Sequence, residues 1–205
     1  MTKLNFYLIR HGKTVQPNAL NGATDVLVND DIQDEMAACI KAGPVKKIVS
    51  SPLRRCFDVA DRLCREQFDI QVDQSWRELD FGVYDGVPYD ELGDAWAELE
   101  AFWADPLANP IPESEPLDQG YYRAVAAWKH LVEQAQEDTI VITHGGMIRF
   151  VLAHLLNVDW KDPKWYSVLN ITNQSVTHVQ LLRYEGKAFF SVQGVGLPLT
   201  TTTFD

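Results

Sequence analysis

Three apolar runs in this chain stop at residues able to handle an anion. Leu4 to Ile9 ends in Arg10-His11-Gly12, and Val45 to Val49 runs into Ser50-Ser51-Pro52-Leu53-Arg54-Arg55. Thr139 to Thr143 ends in His144-Gly145-Gly146. Arginine supplies planar, permanently charged donors that grip an anion through paired hydrogen bonds. A neutral histidine is a nucleophile toward phosphorus, and a second, protonated one stabilises charge on the phosphoryl oxygens. Arginines and histidines gathered at one point therefore suit phosphoryl transfer, which needs chiefly positioning and charge stabilisation. The departing alkoxide also needs an acid. Glu78, next to Trp76 and Phe81, is the best placed by sequence. Metal chemistry is disfavoured, because neither His11 and His144 nor Cys39, Cys56 and Cys64 have ligand spacing. His130, His154 and His178 read as ordinary helix or strand residues.

For these residues to meet, the three runs must be parallel strands whose C-terminal ends share one edge, where ligands bind in α/β sheets. The segments between them read as helices. Ile32, Met36, Cys39 and Ile40 form one apolar stripe that Gly43-Pro44 ends. Ser51 is a suitable N-cap and Pro52 a suitable first residue for a helix whose stripe is Leu53, Cys56, Phe57, Ala60, Leu63 and Cys64. Arg54 and Arg55 then fall in its first turn, opposed by the helix dipole unless an anion is bound there. Spacing leaves the two arginines equal candidates. Leu117 to Ala135 carries a stripe of Tyr121, Val125, Trp128 and Val132, and a further helix follows His144. Ser175 to Tyr184 and Ala188 to Val195 read as a hairpin. The expected fold is one domain over 1–205, a three-layer α/β/α arrangement with a mainly parallel sheet and a C-terminal hairpin.

One region breaks this rhythm. From Glu78 to Asp118 there are 12 Asp or Glu and no Lys, Arg or His, with aromatic residues and prolines interspersed. Leu92, Trp96, Leu99 and Trp103 predict one helix over Asp90 to Trp103. The region reads as an acidic helical insert over the site, the sort of excursion that carries specificity. The formal charge of the whole chain is −11, which disfavours nucleic acid and anionic membrane as partners but not a small anionic substrate in a local basic pocket. No apolar stretch approaches a membrane span, and no signal peptide is expected. The three cysteines are expected as buried thiols in a reducing cytosol. The sequence leaves a homodimer open.

The motifs resemble the histidine phosphatase superfamily, in its phosphoglycerate-mutase-like branch. The Leu-x-Arg-His-Gly-x-Thr block is Leu8 to Thr14, and the Ser-Ser-x-Leu-x-Arg block is Ser50 to Arg55. The Arg-Glu-x-x-x-Gly block is Arg77 to Gly82, and Thr-His-Gly-Gly is Thr143 to Gly146. The resemblance implies His11 as the nucleophile that becomes phosphohistidine. It implies Arg10, Arg55 and His144 around the phosphoryl group, Arg55 rather than Arg54, and Glu78 as proton donor. No metal or other cofactor is expected.

The chain departs from the pattern in places. Lys13 stands where the family has an acidic residue or Gln. Pro17 stands near the family's phosphate-binding Asn, which leaves Asn18 as its substitute, with Asn21, Gly22 and Gly145 as further substrate contacts. Tyr84-Asp85-Gly86 replaces a Trp-Glu-Gly, so Asp85 is a second acid candidate. A phosphoglycerate mutase would need basic residues in the insert, and there are none, so a phosphomonoesterase is expected. His144 to Arg149 and Asn21 to Asp25 look most like alpha-ribazole phosphatases of the cobalamin pathway. The insert's aromatic rings could then stack on the flat base; the alternatives are a broad-specificity phosphatase of the same family and, further off, a phosphoglycerate mutase or a phosphate-binding pseudoenzyme without turnover.

Overall fold

A computed structural model describes residues 1–64 and 68–204. Six strands form one sheet in the order β3-β2-β4-β1-β5-β6. They are β1 (Thr2–Arg10), β2 (Lys47–Ser50), β3 (Asp69–Val72), β4 (Thr139–Thr143), β5 (Ser175–Tyr184) and β6 (Lys187–Pro198). The first four in the sheet order run parallel, and β5 and β6 close one edge antiparallel as the expected hairpin. Register does what the sequence reading required. Arg10 is paired with Thr143, and Ser50 with Ile142. The ladder continues past the strand ends, with His11 N–H donating to the Thr143 carbonyl at 3.1 Å and Ser51 N–H to that of Ile142 at 2.9 Å. His11, Ser51 and His144 therefore emerge side by side.

The sheet is covered on both faces, so its strands are apolar on both. Side chains alternate along a strand, and β1 sends Leu4, Phe6 and Leu8 one way and Tyr7 and Ile9 the other. The first set packs against α4 (Leu117–Gln134) and α5 (Gly145–Leu156), with Trp128, Ile148 and Phe150. The second packs against α1 (Asp30–Ala42) and α2 (Arg54–Leu63), with Met36, Ile40, Val59 and Leu63. A short α6 (Lys164–Val168) leads back toward β5. None of the described helices is long and apolar enough to cross a membrane.

Three local expectations are corrected. The helix expected over Asp90 to Trp103 is broken into two 3₁₀ turns, Tyr89–Glu91 and Gly93–Ala95, before α3 (Trp96–Ala104). Gly93 is the cause: its φ of +53° is a left-handed conformation that no α-helix contains. The apolar spacing survives all the same, and Leu92, Leu99 and Ile111 form a small core of the insert. Second, α2 begins at Arg54 with Leu53 as its N-cap, so Ser51 and Pro52 lie outside it. The Ser51 hydroxyl accepts from Leu53 N–H at 3.3 Å and is otherwise committed to His144. Third, Cys39 and Cys56 are buried but Cys64 is exposed, because α2 ends just before it.

Gly93→Ala is expected to cost about 1 kcal/mol through backbone strain alone, since an added Cβ there meets nothing within 4 Å. Gly93→Asn should cost less, because Asn tolerates the left-handed region. Urea unfolding of the two variants checks the order; equal stability of all three proteins contradicts it.

Candidate active site

The end of β1 presents His11 almost fully buried, 5% exposed. Its Nδ1 lies 2.7 Å from the Gly12 carbonyl, which can only accept. Nδ1 therefore carries the ring proton, and Nε2 keeps its lone pair, with no hydrogen-bond partner among the described residues. Burial, reinforced by the Arg55 and Arg10 charges, holds the imidazole well below its usual value of 6.5. A buried, neutral imidazole with one nitrogen anchored and the other free is what a nucleophile requires.

His144 follows β4 as the N-cap of α5, with its ring centroid 5.1 Å from that of His11. Arg55 Nε, which can only donate, lies 3.2 Å from its Nδ1. Its Nε2 must then carry the proton, donated to Ser51 Oγ at 2.7 Å. The sequence reading expected a protonated partner here. Burial first and the Arg55 charge second push His144 well below 6.5, so it is neutral in the unliganded protein. The same burial pushes the thiol of Cys56, 3.6 Å beneath His144 Nε2, far up, and it stays uncharged.

Arg55 is fully buried, and its guanidinium organises the loop after β1. Nη1 donates to the Thr24 carbonyl at 2.9 Å, and Nη2 to those of Asn21 at 3.1 Å and Gly22 at 2.5 Å. Arg54 points outward, ion-paired with Asp58 at 3.2 Å. The structure thus separates two arginines that spacing left equal. Asp85, the second acid candidate, serves the same loop from the other side. It accepts from Ala23, Thr24 and Phe81 N–H at 2.8 to 2.9 Å and lies outside the cavity wall.

Glu78 does reach the cavity. Its carboxyl is 8% exposed and accepts from Leu79 N–H and from Gly146 N–H, each at 3.1 Å, the second in the first turn of α5. Arg123, absent from the sequence reading, fixes this loop from behind. It donates to the carbonyls of Ser75, Arg77 and Glu78 and pairs with both oxygens of Glu115 at 2.9 and 2.7 Å. Its burial among carbonyls 40 or more positions away in sequence left no local signal.

The cavity in front of His11 measures about 670 Å³. Arg10, His11, Lys13, Asn21, Glu78 and Gly145 all line it, while Arg55 and His144 lie behind this wall. Phe81, Tyr89, Phe102 and Trp103 make an apolar wall from the insert, which does lie over the site. Asn18 is exposed outside the cavity, with its carbonyl taken by Tyr89 N–H at 2.8 Å. Asn21 and Gly22 serve Arg55 through their carbonyls, and only Asn21 is in the wall. An added Cβ at Gly22 would sit 2.1 Å from the Leu79 carbonyl, so only glycine fits. Two wall residues were not foreseen as ligands. Arg149 lies one turn into α5 from Gly145, a spacing visible in sequence. Asn173, just before β5, donates to the His11 and Gly12 carbonyls at 3.1 and 3.3 Å. No group of three or more His, Cys, Asp or Glu among the described residues could hold a metal.

A family model described as histidine phosphatase superfamily (branch 1) matches residues 6–192. The chain belongs to this superfamily. The bifunctional protein Rv2228c of Mycobacterium tuberculosis is 25% identical over 161 residues, covering 75% of this chain but only 42% of that protein. The chain thus spans less than half of that curated relative. Among solved structures, a mycobacterial glucosyl-3-phosphoglycerate phosphatase superposes with a TM-score of 0.79 at 20% identity, covering 96% of this chain and 100% of the other. A putative alpha-ribazole-5′-P phosphatase from Escherichia coli gives 0.77 at 16% identity, over 95% and 98%. Both likenesses show that this member of the superfamily has a shared fold, a central six-stranded sheet with helices around it.

Since free His11 is held well below 6.5, it stays neutral as pH falls through that value. The acid limb of kcat/KM should therefore lie below pH 6.5, measured on any accepted phosphomonoester with its own ionisation accounted for. A limb at or above that value would assign control to another group.

Proposed function

We propose that this histidine phosphatase hydrolyses small phosphomonoesters through a phosphohistidine on His11. The observation that carries the reading is the fixed tautomer of His11, with Nδ1–H on the Gly12 carbonyl and a free Nε2 at a cavity shared with Arg10 and Glu78. A phosphoryl group seated against Arg10 and the first N–H groups of α5 would face Nε2. The N–P bond forms as the P–O bond to the leaving group breaks, and Glu78, protonated at that stage, gives its proton to the departing oxygen. Glu78 then takes a proton from water as the water attacks phosphorus and releases inorganic phosphate and neutral His11. Arg55 has four of its five N–H donors on protein acceptors. The fifth remains for a phosphoryl oxygen, and a bound dianion would also favour the protonated form of His144.

For the leaving group, one reading is alpha-ribazole 5′-phosphate. It draws on the sequence resemblance and on the wall of Phe81, Tyr89, Phe102 and Trp103, against which a flat base could stack. A different reading is favoured by two cations of the same cavity, Lys13 and Arg149, for which such a leaving group offers no counter-charge.

Labelled substrate quenched in alkali should leave base-stable, acid-labile phosphoprotein in the wild type and none in His11→Ala, whose turnover should fall by at least about a thousandfold. Undiminished turnover by the variant would remove His11 as nucleophile. If alpha-ribazole 5′-phosphate is the substrate, its kcat/KM should exceed that of a generic aryl phosphate; equality would exclude it.

A further inference from the structure

The cavity carries more positive charge than a phosphoryl group needs. Arg10 and Arg149 flank Gly145: the point where a Cβ on Gly145 would sit is 3.4 Å from Arg10 Nε and 3.2 Å from Arg149 Nη1. Arg10 donates through Nη1 to the Ile171 carbonyl at 2.5 Å, while its Nε is buried without a partner. Arg149 donates through Nε and Nη2 to the Leu169 carbonyl at 3.2 and 2.9 Å. Its Nη1 has no acceptor among the described residues. Lys13, exposed at the cavity mouth, has neither an ion pair nor a hydrogen bond among them. Among the described residues, Glu78 is the one carboxylate in the wall.

A desolvated guanidinium is costly unless an anion or good acceptors compensate it. Burial opposes the charge of both Arg10 and Arg149, Glu78 is the strongest favourable neighbour of each, and the Arg149 and Arg55 charges further oppose that of Arg10. The reaction removes even that compensation, since Glu78 must be neutral to donate its proton. A phosphoryl dianion balances Arg10 and Arg55. Arg149 and Lys13 are left over, in a chain whose formal charge is −11 and whose insert has no basic residue at all. Two cations retained beside a phosphate site, against the charge of the whole molecule, call for a second anion.

We infer that the substrate's leaving group carries a second anionic group, a carboxylate or another phosphate, seated on Arg149 Nη1 with Lys13 closing over it from the mouth. The inference rests on the phosphomonoesterase reading and narrows it to phosphorylated acids. Arg149 is placed for this by its neighbours. Trp165 Nε1 donates to its carbonyl at 3.2 Å, and Tyr166 and Ser167 of α6 line the same corner. The short separation of Arg149 from Arg10 across Gly145 means that the two anionic groups lie only a few bonds apart. A subsite built to hold a charge discriminates strongly against an analogue that leaves it unpaired.

The test is inorganic phosphate release from matched pairs: phosphoglycerate against glycerol phosphate, and propanediol bisphosphate against propyl phosphate, with alpha-ribazole 5′-phosphate as the case lacking a second anion. The wild type should prefer the doubly anionic member of at least one pair by about ten- to hundredfold in kcat/KM; which pair shows it distinguishes carboxylate from phosphate. That preference, as a ratio within the pair, should collapse toward one in Arg149→Gln and fall in Lys13→Gln, whose exposed position keeps folding out of the comparison. A wild type indifferent within both pairs, or fastest on alpha-ribazole 5′-phosphate, overturns the inference while leaving the hydrolase reading intact. A ratio unchanged by both substitutions overturns the assignment to Arg149 and Lys13. Failure of every compound to release phosphate, with no phosphoprotein formed, overturns the hydrolase reading itself.

Discussion

The buried Arg55 guanidinium is the constraint on which the site depends. It comes from α2, crosses to the imidazole of His144 after β4, and ends among the carbonyls of Asn21, Gly22 and Thr24 after β1. One side chain thus ties together the ends of three strands. A cation this deep is tolerable because nearly every donor has an acceptor; removing it would leave buried carbonyls unpaired, each at a cost of about 1–3 kcal/mol. Its charge also sets the chemistry, by helping burial to hold both histidines neutral.

Around that anchor the protein solves a second problem, the placement of an acid beside the cations. Glu78 hangs on a loop with no regular structure of its own between the 3₁₀ turns at Gln74–Trp76 and Gly82–Tyr84. Arg123 holds its backbone from α4, and two N–H groups hold its carboxyl. Asp85 binds the same loop to residues 23 and 24, so the Arg55 loop and the Glu78 loop are fastened to each other. The residues 169–173 work similarly. Their backbone and side chain hold Arg10, Arg149 and the His11–Gly12 backbone in fixed relation. Much of the polar machinery near the cavity thus serves precision of placement, which is most of what the proposed phosphoryl transfer would ask of a protein.

Several parts of this were legible in the sequence because they are local patterns. An apolar run that stops at Arg-His or at Thr-His is a buried strand followed by an exposed edge, and three such runs in an alternating β/α order imply a parallel sheet with those residues together. Other parts were misread for local reasons as well. Ser51 has the composition of an N-cap, but a hydroxyl within reach of a buried imidazole is worth more there. Asp85 sits where a motif places an acid, yet its oxygens are taken up by three backbone N–H groups.

What the sequence by itself determined is the main strands and helices and the residue types at their ends: His11 and His144 beside arginines, Glu78 opening an acidic insert, and the alternation of strand and helix that makes the sheet mainly parallel. Periodicity and composition are enough for that, because hydrophobic burial acts on each element in turn. Only the tertiary structure decided that Arg55 is buried among the carbonyls of the loop after β1, that His144 is neutral without an anion, that Asn18 faces solvent, and that Arg149 and Lys13 share a cavity with Arg10. These depend on helix phase against the sheet, on the dielectric around a buried ring, and on contacts between residues more than a hundred positions apart. No window of sequence contains those quantities, since each is set by what the rest of the chain packs around the group.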